Sequence, residues 1–382
     1  MTRREQEEHY LDNSATTSVL PEAAQTAARL MTEEFGNPSS LHGRGFRAGQ
    51  ILQNTRETVA LRLGVKPEEI YFTSGGTEAN NLAVFGAAEA LKRRGNRIVT
   101  TQIEHDSVLG PMAELKKQGF EVVELMPDSM GRITPEQVFE AVNEKTVLVS
   151  MMLVNNETGA ILPVQAAGKA LKRAKSAGVV HVDAVQAFGK LDFTPAKLGA
   201  DLVTVSAHKL HGPKGVGALY VRSGVRVLPR VFGGGQESGL RSGTESVPLI
   251  GAFNVAVQQL PKAGETLPKV QRLNDLLRSE LEKLPEVTVN SPDDALPYVL
   301  NFSAGRVRAE TMLHFLSDRG VYVSSGSACG RAKPSHVLLA MGLPKERVSS
   351  ALRVSFSRFS TEDDVMALVT GLKEGIKTLA HE

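Results

Sequence analysis

The sequence predicts an α/β fold in which helices cover both faces of a mostly parallel sheet. Seven short runs rich in β-branched and apolar residues alternate with amphipathic segments that are typical of helices. Several runs are apolar almost throughout, as expected of parallel strands that are buried on both sides. The pattern changes after Gly233, where a glycine-rich stretch leads into a long helix-like region. This change predicts a second, smaller domain.

The predicted elements follow one another along the chain. The seven strands are expected at residues 70–73, 97–101, 122–125, 147–153, 179–182, 202–206 and 216–221. The segments between them include helices at residues 78–93, 108–118, 135–143 and 165–177, and the first long helix is expected to begin near Pro21. Beyond the glycine-rich stretch at residues 233–244, we expect a helix over residues 247–284 and strands at 298–303, 322–324 and 352–356.

The change of pattern also predicts how the chain divides into domains. At roughly 150 residues per domain, a chain of 382 residues is long enough for two. We place the boundary inside the long predicted helix, near residue 258. The large domain then spans residues 17–258, and the small domain comprises residues 1–16 and 259–382.

Composition and charge exclude several classes of protein. Hydrophobic residues make up 41% and charged residues 23%, which is typical of a folded chain rather than a disordered one. Lys and Arg total 44 against 42 Asp and Glu, so we expect no direct contact with nucleic acid. The longest apolar stretch, at residues 147–154, is too short to cross a membrane, and the N-terminal segment lacks the apolar run of a secretory signal. We therefore expect a cytoplasmic protein.

The sequence contains one cysteine, Cys329. A chain with one cysteine forms no intramolecular disulfide and no multi-cysteine metal site. Small residues precede Cys329 at 324–328, and Arg331 and Lys333 follow it, so the thiolate form would be favoured. A small buried hydrophobe is the alternative. We favour a nucleophile.

A glycine-rich loop follows the first predicted strand, with the sequence SGGTEAN at residues 74–80. The glycines allow close approach of the backbone, and Thr77 lies where a helix begins. Free N–H groups at a helix N-terminus bind anions, so this loop is suited to a phosphate. An ordinary N-cap in a tight turn is the alternative.

An acid and a lysine follow two later strands. Asp183 lies at the carboxyl end of a buried strand, where α/β sheets bind ligands, and Lys209 comes about one turn after the next strand. A lysine there could form a Schiff base, and an aspartate could pair with a protonated pyridine nitrogen. Taken singly, Asp183 could be a helix cap and Lys209 a surface charge. A metal site formed by Asp183, His208 and His211 is a further alternative.

Together, a phosphate loop, a strand-end aspartate and a later lysine meet the needs of pyridoxal 5'-phosphate. The motifs in question are TSGGTEANN (73–81), IEHDSV (103–108), VNNETG (154–159), HVDAVQ (181–186), SAHKLHGPKGVGALY (206–220), RSGT (241–244) and SSGSAC (324–329). They resemble those of the cysteine desulfurases, the NifS-like branch of the class V aminotransferase family, and occur in the family's order over nearly the whole chain. The resemblance implies a fold-type I transferase that depends on pyridoxal phosphate. Such a protein has a seven-stranded, mostly parallel sheet in its large domain and a smaller α+β C-terminal domain.

The resemblance also implies how the cofactor is held. Its phosphate would be bound by Gly76, Thr77, Ser206 and His208, and Thr244 would reach it from the partner subunit of a homodimer.

The cofactor ring would have its own partners. His105 would stack on the ring, although it could instead cap the helix that follows. Asp183 would bind the ring nitrogen, and Gln186 and Asn156 would bind the phenolic oxygen unless they are turn residues. Lys209 would bind the cofactor covalently and then transfer protons.

The substrate would be L-cysteine, and the enzyme a sulfurtransferase. Arg353 would bind the substrate carboxylate, with a solvent-facing strand arginine as the alternative, and Asn13 and Asn37 lie in segments that look like active-site loops of the family. Cys329 would take the sulfur as a persulfide, leaving L-alanine.

Because the chain has no second thiol, the sulfur would pass to an acceptor. We expect an iron–sulfur scaffold protein first and a tRNA-thiolation enzyme second. A small thiol or the partner subunit's Cys329 would also serve. Two other classes stay open: an aminotransferase or lyase acting on another amino acid, including selenocysteine, and a non-catalytic sulfur carrier.

Overall fold

The computed structural model describes residues 7–325 and 334–379. The described chain begins with a short strand, β1 (His9–Tyr10), followed by two helices, α1 (Pro21–Thr32) and α2 (Gly43–Leu63). Helix α1 begins at the predicted proline, whose fixed φ suits the first turn of a helix.

Seven strands then form the large sheet. They are β2 (Ile70–Thr73), β3 (Arg97–Thr101), β4 (Glu121–Leu125), β5 (Thr146–Met152), β6 (Val179–Asp183), β7 (Leu202–Ser206) and β8 (Gly217–Val221). Their order in the sheet is β2-β8-β7-β6-β5-β3-β4, and β8 runs in the direction opposite to the other six strands. The prediction of a mostly parallel seven-stranded sheet is confirmed.

Helices cover both faces of this sheet. They are α3 (Gly76–Leu91), α4 (Asp106–Lys117), α5 (Pro135–Ala141), α6 (Gln165–Arg173), α7 (Pro195–Leu198) and α8 (Val247–Gln258). Successive strand residues point to opposite faces. Ile98 therefore packs in the cluster formed with α3 and α4, whereas Val99 packs in the larger cluster on the other face.

The remaining elements form a smaller α+β unit. They are α9 (Ala263–Leu281), β9 (Val287–Val289), β10 (Val299–Ala304), α10 (Ala309–Ser317), β11 (Val321–Tyr322), α11 (His336–Ala340), α12 (Lys345–Ser349), β12 (Ala351–Ser355) and α13 (Glu362–Thr378). Strands β12, β10 and β9 form an antiparallel sheet in that order. The N-terminal β1 pairs in parallel with β11, so the start of the described chain packs against this smaller unit.

One predicted element is wrong. The helix expected over residues 247–284 is two helices, α8 and α9, separated at residues 259–262. Pro261 lies in this break, where proline cannot donate a backbone hydrogen bond to continue a helix. The break falls where the domain boundary is predicted, and the division into two domains stays a prediction.

Within the described residues, none of the helices combines the length and the apolar character needed to span a lipid bilayer.

Candidate active site

The cavity of interest lies at one edge of the large sheet. Strands β2, β6 and β7 run in the same direction, so their carboxyl ends meet at that edge. A cavity of about 230 Å³ opens there. Ten of the fourteen predicted site residues line it: Gly76, Thr77, His105, Asn156, Asp183, Gln186, Ser206, His208, Lys209 and Arg353.

The glycine-rich loop presents a helix N-terminus to this cavity. Helix α3 begins at Gly76, and no side chain caps it. Gly75 has a φ of 149°, which L side chains rarely adopt, and a Cβ atom at Gly76 would lie only 3.0 Å from the Val185 side chain, so both positions favour glycine. The uncapped N–H groups and the Thr77 side chain therefore face the cavity as donors.

A serine at the end of β7 faces the same loop. The Ser206 hydroxyl is buried and has no hydrogen-bond partner among the described residues. A buried hydroxyl without a partner costs free energy, so this position calls for a ligand or a water molecule. A phosphate at the start of α3 would satisfy both the hydroxyl and the helix N-terminus.

Asp183 is held rigidly at the end of β6. Its Oδ2 accepts a hydrogen bond from Asn80 Nδ2 at 2.7 Å, and its Oδ1 accepts one from the Val185 backbone N at 2.9 Å. The carboxyl group is almost wholly buried, with 6% of Asp183 exposed. A carboxylate with two fixed donors keeps its remaining acceptor capacity for the cavity.

Lys209 ends a single 3₁₀ turn, Ala207–Lys209, directly after β7. Its Nζ donates to the backbone oxygens of Ser14 and, at 2.8 Å, of Ala15. These carbonyls belong to the segment after β1, which is tied to β12 because the Ser14 backbone N donates to Ser355 Oγ at 2.7 Å. The N-terminal segment therefore orients the lysine from across the cavity.

His208 lies beside Lys209 in the same turn. Burial, followed by the nearby Lys209 charge, lowers the pKa of His208 to about 4. The imidazole is therefore neutral at neutral pH. Its Nδ1 lies 3.3 Å from the Thr16 hydroxyl, which fixes the ring at the cavity wall.

His105 caps the helix that follows, and its side chain also lies on the cavity wall, whereas its stacking on a ring stays a prediction. Its Nδ1 accepts a hydrogen bond from the Ser107 backbone N at 3.1 Å, so the side chain caps helix α4. The same side chain lines the cavity. The cap fixes the imidazole orientation, because the acceptor nitrogen must stay on the helix N-terminus.

Two amides lie on the cavity wall. Gln186 Nε2 donates to the Ser14 carbonyl at 3.0 Å, and Gln186 Oε1 accepts from Lys190 Nζ at 3.1 Å. Asn156 lies at the other side, where its backbone carbonyl accepts from Arg353 Nη1 at 3.1 Å. Both residues belong to turns, and both line the cavity.

Arg353 is not a solvent-facing strand residue, because it is 1% exposed. Its Nη2 donates to Asp12 Oδ1 at 2.8 Å, and its buried Nε has no hydrogen-bond partner among the described residues. The Asp12 carboxylate balances the buried charge. An unpartnered N–H in a cavity wall is suited to binding a carboxylate oxygen.

Two buried glutamates border the site. Burial raises the pKa of Glu104 to about 8, although the Met152 backbone N and the Thr101 hydroxyl donate to its Oε1. Burial also raises the pKa of Glu157, which accepts a hydrogen bond from the Ser335 hydroxyl. Glu104 directly precedes His105, and Glu157 directly follows Asn156. The hydrogen bonds of the two glutamates therefore anchor the backbone next to two residues that line the cavity.

The four other predicted residues do not line the cavity. Asn13 donates to the Tyr10 and Ser355 carbonyls and faces a smaller neighbouring cavity, so it holds the N-terminal segment in place. Asn37 is exposed and accepts from the Ser39 backbone N at 2.9 Å within its own turn. Thr244 is exposed. Cys329 lies outside the described residues.

The metal alternative finds no support in this geometry. His211 turns away to contact the Ser18 carbonyl at 2.9 Å and lines the smaller neighbouring cavity, apart from the cavity that Asp183 lines. Over residues 7–325 and 334–379, no group of three or more His, Cys, Asp or Glu side chains is arranged to hold a metal ion.

Sequence reasoning missed several residues of the site. Asn80 and Ser107 lie in the quoted motifs TSGGTEANN and IEHDSV, yet their mutual hydrogen bond of 2.8 Å across two helices was not foreseen. Ser14 and Ala15 contribute only backbone atoms, which leave no sequence signal. Asn80 follows the glycine-rich loop by one helical turn, which is a sequence signal for it, although the neighbouring Asn81 carries the same amide.

Comparisons with known proteins agree on one family. The family model described as aminotransferase class-V matches residues 9–368. The chain is 40% identical over 377 residues to a protein named cysteine desulfurase IscS from Clostridium botulinum strain Hall, with 96% of this chain and 94% of that protein covered. The predicted resemblance is confirmed.

Solved structures are similar over nearly the whole chain. A NifS-like protein matches with a TM-score of 0.90 and 39% identity, covering 98% of this chain and 100% of that one. SspA, solved in complex with cysteine, matches with a TM-score of 0.81 and 33% identity, covering 92% of this chain and 100% of that one. The chain therefore belongs to the class V aminotransferase family and, within that family, to the cysteine desulfurases.

Proposed function

We propose that the chain converts L-cysteine to L-alanine with pyridoxal 5'-phosphate as cofactor and takes the sulfur onto Cys329. The observation that carries this proposal is the placement of Asp183, Lys209 and Arg353 around one cavity. They offer a partner for a ring nitrogen, an amine that can act as base and a partner for a carboxylate. A pyridine cofactor and an amino acid together require all three.

The cofactor phosphate would lie against the start of α3. Gly76 and Thr77 would donate backbone N–H groups to it, and Ser206 and His208 would lie beside it. This assignment is supported by the uncapped helix N-terminus and by the buried Ser206 hydroxyl, which lacks a partner among the described residues.

The cofactor ring would be held by three kinds of contact. His105 would stack on its face, Asp183 would keep a proton at the ring nitrogen, and the Gln186 and Asn156 amides would face the phenolic oxygen. When bound, pyridoxal phosphate supplies an electron sink that stabilises negative charge at the substrate Cα. The fixed Asp183 carboxylate would keep the ring electron-withdrawing, because its negative charge would stabilise a protonated ring nitrogen.

Lys209 would act as the base. Its Nζ would remove the Cα proton of cysteine, and the Ser14 and Ala15 carbonyls would keep the amine directed at the cavity between transfers. Arg353 would bind the substrate carboxylate and so orient the Cα–H bond toward Lys209. Asn13 would act by holding the N-terminal segment in place. The role of Asn37 in an active-site loop stays a prediction that rests on the resemblance.

The transfer of sulfur from the substrate requires one thiol of the enzyme, that of Cys329. The Cys329 sulfur attacks the substrate sulfur, an S–S bond forms and the Cβ–S bond breaks. The electron pair of the broken bond stays on Cβ, which takes up a proton and becomes the methyl group of alanine. The proton lost by Cys329 balances that gain, and the enzyme keeps a persulfide.

The persulfide would then be handed to an acceptor protein. Since the chain has one cysteine, no second thiol of the same chain can receive the sulfur. We propose an iron–sulfur scaffold as the acceptor, with a tRNA-thiolation enzyme as the second candidate. A cytoplasmic location stays a prediction of the sequence.

A homodimer would complete the site. Thr244 is exposed, and it would contact the cofactor phosphate in the partner subunit. The proposal is supported by large apolar side chains that the single chain leaves exposed, including Leu41, Phe46 and Phe232. A subunit interface would bury them.

The test combines absorbance with product analysis. We expect the purified chain to absorb visible light, the band to change on adding L-cysteine, and alanine to form in step with protein-bound sulfur. Cys329→Ser should still change the band but should release no sulfur to an added thiol. Unchanged turnover in this variant would indicate an aminotransferase or lyase instead. A chain that stays colourless with pyridoxal phosphate would overturn the cofactor and leave the carrier alternative.

A further inference from the structure

Lys190 is a buried lysine for which neither the fold nor the proposed chemistry accounts. It lies in the turn after β6, follows Gly189, which has a φ of 80°, and is 7% exposed. No salt bridge joins it to a carboxylate in the part of the chain that the structure describes. Burial, followed by the charges of Lys209 and Arg353, lowers the pKa of Lys190 to about 7. Placing an amine there costs stability, so its presence calls for a reason.

Among the residues that the structure describes, the Lys190 amine contacts Gln186 and Tyr298. Its Nζ donates to Gln186 Oε1 at 3.1 Å, and it lies 5.5 Å from the centre of the Tyr298 ring. The ring face attracts the ammonium and holds it in place. The amine is therefore fixed between an aromatic ring and a residue that lines the cavity.

Two contacts determine how the Gln186 amide is oriented. The Ser14 carbonyl can only accept, so it meets the amide nitrogen, and Lys190 Nζ donates to the amide oxygen in either protonation state. The nitrogen then faces the Ser14 carbonyl, 3.0 Å away, and its second N–H is left for the cavity. The Lys190 N–H on the amide oxygen also polarises the group, most strongly when the amine is protonated, and this strengthens the amide N–H as a donor.

We propose that Lys190 is a positioning residue that presents the Gln186 amide to the cavity as a polarised N–H donor for an oxygen of the bound cofactor. The inference rests on the proposed function, because it takes the phenolic oxygen of pyridoxal phosphate as that acceptor. The contact with Lys190 gives a reason why Gln186 would act as a donor to the cofactor rather than as an acceptor. Lys190 itself touches neither cofactor nor substrate.

A double-mutant cycle that measures affinity for the cofactor tests this role without relying on turnover. The full-length protein, freed of cofactor, is titrated with pyridoxal phosphate and, separately, with its 3-deoxy analogue, which lacks the phenolic oxygen. The variants are Lys190→Met, Gln186→Leu and the double variant. Exposed Lys172 in α6 provides the matched control, Lys172→Met.

We expect Lys190→Met to raise the dissociation constant for pyridoxal phosphate about fivefold, the worth of one hydrogen bond. The same substitution should add nothing in the Gln186→Leu background and should not alter binding of the 3-deoxy analogue. The role would be overturned if Lys190→Met weakened binding of pyridoxal phosphate equally in the wild-type and Gln186→Leu backgrounds. It would also be overturned if Lys190→Met bound the cofactor with wild-type affinity. If the methionine variant does not fold, Lys190→Gln keeps a neutral donor and should weaken binding less than fivefold.

The two proposals fail in different ways. If wild type and Lys172→Met do not bind pyridoxal phosphate, the proposed function itself is wrong. If both bind it and Lys190→Met binds it equally well, only the role of Lys190 is wrong.

Discussion

Ser324 and Arg353 exchange two backbone hydrogen bonds, with the Arg353 N donating to Ser324 O at 2.6 Å and the Ser324 N donating to Arg353 O at 3.1 Å. Ser324 begins the motif SSGSAC, which ends at Cys329. The residue whose guanidinium lines the cavity is thus bonded to the start of the segment that contains the single thiol.

The far end of that segment is attached to the cavity as well. The Ser335 hydroxyl donates to the buried Glu157, and His336 Nε2 donates to the Glu104 carbonyl at 2.9 Å. Glu157 follows Asn156, and Glu104 precedes His105, in the cavity wall. The chain therefore enters the segment around Cys329 beside Arg353 and leaves it beside the cavity wall.

Replacing Lys209 should remove turnover. Lys209→Ala deletes the amine that Ser14 and Ala15 orient, so we expect alanine formation from L-cysteine to fall by at least about a hundredfold, the usual worth of a positioned base. Added small amines should restore part of the rate. The Lys172→Met control should behave as wild type, and a Lys209→Ala variant with normal turnover would contradict the assignment.

Replacing Asp183 should separate cofactor binding from catalysis. Asp183→Asn keeps the shape of the side chain and can still accept from the Val185 backbone N, but it removes the negative charge. We expect the variant to bind pyridoxal phosphate while turnover falls on the order of a hundredfold or more, because the negative side-chain charge that would stabilise a protonated ring nitrogen is lost. Absorbance titration and alanine release measure the two effects. A loss of binding with undiminished turnover per bound cofactor would argue against this role.

Arg353 should control substrate binding. Arg353→Lys keeps the charge beside Asp12 but loses the forked donors, so we expect the KM for L-cysteine to rise about tenfold with a smaller change in kcat. Binding of pyridoxal phosphate should stay unchanged. Steady-state kinetics measures the split, and a KM equal to that of wild type would exclude Arg353 as the carboxylate partner.

Glu104 should make stability fall with rising pH. Its pKa is raised from 4.5 to about 8 by burial, so the folded chain binds this proton more tightly than the unfolded chain does. The stabilising contribution is complete below pH 4.5 and is lost as the pH rises toward 8. Glu104→Gln should remove this dependence.

Thermal unfolding of wild type and Glu104→Gln at pH 6 and pH 9 tests the predicted direction of this pH dependence. Because each unit of pKa shift corresponds to about 1.4 kcal/mol, the variant should gain on the order of a few kcal/mol over wild type at pH 9. It should gain less at pH 6. The same gain at both pH values would show that Glu104 does not titrate in this range.

The strands and the phosphate loop were predictable because their signals are local. Each buried strand has an apolar run, and the loop before α3 has glycines where φ is positive or the backbone approaches closely. Asp183 and Lys209 were found because they follow such strands directly. The helix over residues 247–284 was misjudged because its apolar pattern continues past the break that Pro261 marks.

Sequence alone determined the order of strands and helices, the loop that is suited to a phosphate and the acid and lysine at the strand ends. Only the tertiary structure decided that Ser14 lies against Lys209, that Arg353 is buried beside Asp12 and that Lys190 lies against Gln186. The first two pairs join residues that are far apart in the chain, whereas Gln186 and Lys190 share one irregular turn, where no periodicity indicates the contact. The reason is physical: local periodicity shows which face a residue occupies, whereas the partner of a buried charge depends on packing of distant segments.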